Sequence, residues 1–267
     1  MFKRYASVFL SEYLGSFLLV GFSLGSAILV GGGESFTMGL GFMVLVYIFS
    51  NFSKAHFNPI VTVATFLSRK MTLKAAAGYL GAQFLGALSV FPLAQLLRTA
   101  YIDYQVLRNS SAGYEVEGLR EQVEAQIPLL SNAFTEGALG LIFGLEAFGA
   151  FILVLAILVV ANNEKIRHYT GLVAGTALFV ITAFASQITG ASFNPFRSLV
   201  PALFAGGEVW SQSWLYVLAP LTGALIAVVI YWVMELLTKG GRKSVRATAP
   251  ATKATKRTRK AGRKSRK

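Results

Sequence analysis

Residues 55–70 read AHFNPIVTVATFLSRK, and residues 191–204 read ASFNPFRSLVPALF. Each stretch sets an Asn-Pro pair, Asn58-Pro59 or Asn194-Pro195, at the head of an apolar run. The pair is a helix start written in side-chain chemistry. Asn accepts a hydrogen bond from a free N–H of the first turn, and Pro occupies a position where its missing N–H costs nothing. The apolar runs, 58–68 and 194–204, are about half the ~20 residues a helix needs to cross the hydrocarbon core of a bilayer. They predict half-helices that enter a membrane without spanning it.

The rest of the chain supplies the membrane context. Of 267 residues, 54% are apolar and only 14% charged, too few charges to cover a soluble surface of this size. Six longer apolar segments, about 8–30, 36–52, 73–97, 137–161, 170–187 and 212–237, each approach the spanning length. They are rich in Gly and Ala, which favours close helix contact in lipid, and only helices satisfy the backbone within such segments. The expected fold class is therefore an all-α membrane protein with six transmembrane helices and two half-helices. The N-terminal segment has the charge and apolarity of a signal peptide. It runs on to Val30 with Glu12 inside it and no small-residue cleavage site, so it reads as a retained first span.

Charge gives orientation and a tail. Lys3, Arg4, Lys54, Arg69, Lys70, Lys74, Lys165 and Arg167 fall on one side with the C-terminus; Glu34, Glu208 and the loop 98–136, with three basic and six acidic residues, fall on the other. The positive-inside rule places both termini in the cytoplasm, most simply at the cell membrane, with an internal membrane such as the endoplasmic reticulum left open. Within the long loop, LREQVEAQIPLL predicts a short surface helix. The net charge of +13 is confined to residues 238–267, which hold 13 of the 25 Lys and Arg and no acid. This Ala/Thr/Lys/Arg tail is expected to be disordered and drawn to anionic lipid, with no signal for a specific nucleic acid.

The two halves repeat more than the Asn-Pro pair. Glu12-Tyr-Leu-Gly15 precedes Asn58 by 46 residues, and Glu146-Ala-Phe-Gly149 precedes Asn194 by 48. An acid inside a spanning segment is costly, so two at matching places indicate a repeat, about 5–97 and 137–237. With three spans per half, the second copy is inverted. The half-helices then enter from opposite faces and their Asn-capped N-termini meet near the midplane. Opposed helix N-termini place positive partial charge there. Cations and protons are repelled, while a neutral solute accepts hydrogen bonds from Asn58 and Asn194.

At SEYLGSFLLV, AHFNPIVTVATFL, GYLGAQFLGAL, LEAFGAFILV, GASFNPFRSLVPALF and WLYVLAPLTGAL the chain resembles the aquaporin, or major intrinsic protein, family over residues 5 to 237. The resemblance implies a pore in each subunit of a homotetramer, and passive flow of water or small uncharged solutes without a cofactor. By position, Asn58 and Asn194 match the paired pore asparagines and Arg197 the arginine of the selectivity filter. Met38, Thr182 and Ala191 fall at the other filter positions. Glu12 and Glu146 take a structural role under the resemblance, supporting the irregular backbone before each half-helix; proton relay or ion coupling is the rival role for buried carboxylates. His56 is expected to order the inner loop.

The chain departs from the family at the third motif position, where Ile60 and Phe196 stand in place of Ala. Larger side chains there are expected to repack the junction, shifting the amides or narrowing the pore. The filter lacks the aromatic and His of strict water channels, and Ser198 follows Arg197 where glycerol facilitators usually carry Asp. Met38 and Thr182 predict a wider, less polar opening, with water, glycerol, urea and ammonia as candidate solutes. Two other classes stay open: a secondary transporter built on the same inverted architecture, and a pore-closed structural protein. Catalysis finds no support, since no nucleophile, base and orienting group occur together. The chain has no cysteine, and its two histidines, His56 and His168, stand in unrelated contexts, which argues against a metal site. Tyr5, Trp210, Trp214 and Tyr216 read as interfacial anchors.

Overall fold

The computed structural model describes residues 2–29, 34–113, 118–127, 132 and 136–248. The helices, in chain order, are α1 (Phe2–Leu29), α2 (Glu34–Phe49), α3 (Pro59–Leu67), α4 (Leu73–Ser111), α5 (Leu119–Gln126), α6 (Leu139–Ala161), α7 (Thr170–Thr189), α8 (Pro195–Ala205), α9 (Gly207–Gln212) and α10 (Leu215–Thr248). No strand occurs among the described residues. Among the described residues, five helices are long and apolar enough to cross a membrane, and Ser35–Phe49 is a shorter apolar helix. Their lipid-ward faces are plain in the exposed Leu10, Leu93, Leu96, Phe184, Ile226 and Val229.

The halves correspond helix for helix: α1 with α6, α2 with α7, α3 with α8, α4 with α10. α1 packs on α4 and α2 on α7, while α3 and α8 touch each other. The closest crossings need glycine. A Cβ on Gly86 of α4 would overlap the Tyr13 carbonyl of α1, and one on Gly223 of α10 would overlap the Ala147 carbonyl of α6. The two contacts are repeat-related, so each half closes its outer helix pair through the same device. At the centre, Gly39 and Gly175 bring α2 and α7 together, each lying against the other's backbone carbonyl.

Two boundaries differ from the sequence expectation. The loop expected from residue 98 begins as helix, since α4 continues to Ser111. Its 39 residues rise about 58 Å, nearly twice a hydrocarbon core. The extension is stabilised by α5, the short helix within LREQVEAQ. Ile102, Leu119, Val123 and Ile127 bury together, Arg98 pairs with Glu124 at 3.6 Å, and Arg120 with Asp103 at 2.6 Å. At the C-terminus α10 passes through the boundary drawn at 237 and stays helical to Thr248. The chain divides into two units, Met1–Trp232 and Val233–Lys267; the basic tail from 249 onward lies outside the described residues. Tyr216 differs as well. Tyr5, Trp210 and Trp214 are largely exposed, whereas Tyr216 is fully buried against Ile142, Leu215 and Ala219.

Candidate functional site

Asn58 and Asn194 adopt matching extended backbones, φ −149°, ψ 125° and φ −145°, ψ 105°. Each caps its own half-helix: Oδ1 of Asn58 accepts from Ile60 N–H and Oδ1 of Asn194 from Phe196 N–H, both at 3.1 Å. The amides then cross. Nδ2 of Asn58 donates to the Phe193 carbonyl at 2.8 Å, and Nδ2 of Asn194 donates to the Phe57 carbonyl at 3.1 Å. An amide NH2 carries two hydrogens. One from each Asn is spent locking the two N-termini together, and each amide has a second N–H outside that lock.

The loops that deliver these asparagines are held by the two buried acids. Glu12 accepts from Ser53 Oγ (2.6 Å), His56 N–H (3.1 Å), Phe57 N–H (3.0 Å) and Gln83 Nε2 (2.8 Å). Glu146 accepts from Thr189 Oγ1 (2.7 Å), Ser192 N–H (2.9 Å) and Phe193 N–H (2.8 Å). Both loops carry left-handed residues that a non-glycine adopts at a cost, Ala55 and Phe57 at φ 51° and 50°, Ala191 and Phe193 both at φ 45°. The converging hydrogen bonds offset that cost. The glycine three residues after each acid completes the unit. A Cβ on Gly15 would overlap the Phe57 ring, and one on Gly149 the Phe193 ring. The Glu-x-x-Gly repeat is thus one device: the acid grips the loop backbone and the glycine admits its aromatic ring.

Beyond this shared frame the two loops diverge. In the first, His56 is buried. Its Nδ1 lies 3.0 Å from Thr62 Oγ1 and its Nε2 3.4 Å from Thr65 Oγ1, with the Tyr79 ring 5.0 Å away. Gln83 joins Thr62 to Glu12. In the second loop Ser192 takes the place of His56. Its hydroxyl donates to the Asn194 carbonyl and accepts from Ser198, which in turn accepts from Asn132 of the long connecting loop.

Arg197 is almost fully buried in the first turn of α8, and its guanidinium is held from two sides. Nη1 donates to the Gly190 carbonyl at 2.6 Å and Nε to Ser23 Oγ of α1. Met38 and Ala191 lie in one buried cluster, and Thr182 is buried on α7, the helix that Gly190 terminates. The Thr182 hydroxyl has no hydrogen-bond partner among the described residues. A buried hydroxyl without a partner costs free energy unless something else bonds it. His168, by contrast, is exposed, its ring 4.0 Å from that of Tyr169 and tilted by 47°.

Ile60 and Phe196 point into different packing. Ile60 is completely buried in the central cluster of α2, α3, α6 and α7, whereas Phe196 packs in the α1–α4 cluster, edge-on to Phe84 at 5.4 Å. Neither displaces its Asn amide, whose cap and crossing bonds are intact on both sides. Ser23, Gln83, Asn132 and Ser192 escape sequence inspection. Gln83, within GYLGAQFLGAL, has the clearest signal, a polar amide inside an apolar span.

A family model described as Major intrinsic protein matches residues 3–231. A glycerol uptake facilitator protein-like 6 from Lactiplantibacillus plantarum is 32% identical over 225 residues, covering 82% of this chain and 94% of that protein. Aquaporin Z of Rhodopseudomonas palustris is 28% identical over 248 residues, covering 90% and 98%. The X-ray structure of the aquaglyceroporin from Plasmodium falciparum shares the fold, with a TM-score of 0.65 at 23% identity over 85% of this chain and 95% of that one.

Proposed function

The chain belongs to the major intrinsic protein family and is a non-enzymatic membrane channel for water or small solutes; from that premise we propose that it conducts small uncharged polar molecules and excludes cations and protons. The crossed asparagines carry this reading. Two helix N-termini meet at Asn58 and Asn194, each contributing roughly half a positive charge, and each Asn keeps one N–H for a solute. A cation entering that junction meets the positive potential of two helix N-termini and two amide donors. A neutral molecule with an acceptor oxygen or nitrogen finds partners.

Arg197, Thr182, Met38 and Ala191 form the selectivity filter in this account. Arg197 supplies a fixed charge and forked donors, Thr182 a hydroxyl in need of a partner, and Met38 an apolar wall. That mixture suits a solute with one polar edge and one apolar edge, so glycerol is expected to pass alongside water, with urea and ammonia as further candidates. Ion coupling is disfavoured because Glu12 and Glu146 spend their oxygens on loop donors. A pore-closed protein is disfavoured because Ile60 and Phe196 leave the amides in place. The assembly follows the family's homotetramer, with both termini on the cytoplasmic side of the cell membrane.

Stopped-flow light scattering on proteoliposomes tests this with water, glycerol, urea and ammonia in turn. The expected result is faster water movement than in empty liposomes, together with measurable glycerol or urea flux. Rates equal to empty liposomes for all four solutes would instead establish the pore-closed protein.

A further inference from the structure

On the face that carries the N-terminus, a cavity of about 1060 Å³ opens between the start of α1, the loop before α3 and the start of α4. It matches the upper end of pockets that hold small ligands, roughly 300–1,000 Å³. Its rim is basic. Arg4, Lys54, Lys70 and Lys74 line it, and no described lining residue is acidic. Its inner wall is apolar, from Val8, Phe9, Ala75 and Gly78. Basic rim and apolar wall are the two halves of one ligand chemistry: an anionic headgroup joined to a hydrocarbon chain.

We propose that this cavity holds an anionic phospholipid of the adjacent leaflet, its phosphate among Arg4, Lys70 and Lys74 and an acyl chain along Phe9 of α1. The cations are placed for this rather than free in solution. Lys74 Nζ stands 5.7 Å above the Tyr5 ring, and Lys54 Nζ donates to the Lys70 carbonyl at 2.7 Å. Burial and the neighbouring Lys70 charge depress the protonation of Lys54, a penalty that an anion in the cavity removes. Basic pockets between membrane helices are suited to anionic headgroups, each cation contributing through its proximity to the lipid phosphate. A free inorganic anion would leave the apolar wall unused. The lining residues alone make this site, and the attraction of the basic tail to lipid needs no cavity.

Native mass spectrometry of the full-length protein in neutral detergent tests the proposal, with phosphatidylglycerol, phosphatidylcholine of the same chains, and inorganic phosphate as probes. The exposed pair is neutralised as Arg4→Gln/Lys74→Gln. A control of equal charge change, Lys264→Gln/Arg266→Gln, alters only the tail. The account expects one retained phosphatidylglycerol per subunit, little phosphatidylcholine and no displacement by phosphate. The cavity variant lowers apparent affinity about tenfold and the control leaves it unchanged. Both substituted positions are exposed, so elution profile and solute flux stay at the wild-type level. Equal retention of both lipids, equal loss in both variants, no loss in the cavity variant, or displacement by phosphate would each overturn the site.

Discussion

The loop before α3 and the loop before α8 are built on the same frame and used differently. Both hang from a buried acid, both pass through two left-handed residues, and both seat a phenylalanine on a glycine. In the first loop the remaining polar groups close on themselves, His56 with Thr62 and Thr65, and Gln83 with Thr62 and Glu12. In the second they open outward. Ser192 leads through Ser198 to Asn132, and Arg197 is held between Gly190 and Ser23. A symmetric scaffold thus carries asymmetric chemistry. One half's polar groups close on their own loop, while the other's reach out to Asn132 and Ser23. The difference makes the halves separable by mutation, because damage to the frame should cost stability and damage to the second loop's additions should change what passes.

The largest effect is expected at the shared frame. Glu12→Ala strands four donors and Glu146→Ala three, and each buried unsatisfied donor costs about 1–3 kcal/mol. Both variants should lose at least about 3 kcal/mol, read as a lower thermal aggregation temperature in detergent, with the Gln variants intermediate. If either alanine variant were as stable as wild type, the common frame would be broken. Next come the motif variants. Ile60→Ala leaves a cavity in the central cluster and should cost about 3 kcal/mol. Phe196→Ala, at a partly buried site beside Phe84, should cost about 2 kcal/mol and leave the ratio of glycerol to water flux unchanged. A changed ratio would place Phe196 at the pore.

Selectivity effects are smaller in free energy and centre on Arg197 and the groups that hold it. Arg197→Ala should raise the flux of larger solutes relative to water about tenfold, consistent with losing hydrogen bonds from a charged group. An unchanged solute profile would remove Arg197 from the filter. Ser23→Ala should shift the same ratio in the same direction by about twofold, because the guanidinium keeps Gly190 while losing its bond to Ser23. A loss of stability without a selectivity shift would make Ser23 a packing residue only.

Local chemistry explains what is legible in the sequence. An Asn-Pro pair caps the helix that follows it, and an acid in an apolar span needs donors, so α3, α8, Glu12 and Glu146 announce themselves. The continuation of α4 to Ser111 is hidden because residues after Leu97 turn polar. Only the packing of Ile102 against Val123 and Ile127 shows that they stay helical. The direction of the Phe196 ring is likewise set by Phe84, a residue far away in the chain. Ser23 meets Arg197 across 174 positions, and a serine in an apolar helix carries no mark of its partner. Tyr216 reads as an interfacial anchor by residue type, but Leu215 and Ile142 enclose it.

The crossed asparagines make one central claim, a passage for neutral molecules that needs no ion. Glycerol and water flux into proteoliposomes, measured against increasing gradients with an internal pH indicator, tests it most directly. The account predicts rates that rise linearly with the gradient, are indifferent to an imposed proton or sodium gradient, and leave internal pH unchanged. Saturating uptake that follows the proton gradient, with matching acidification of the lumen, would contradict it.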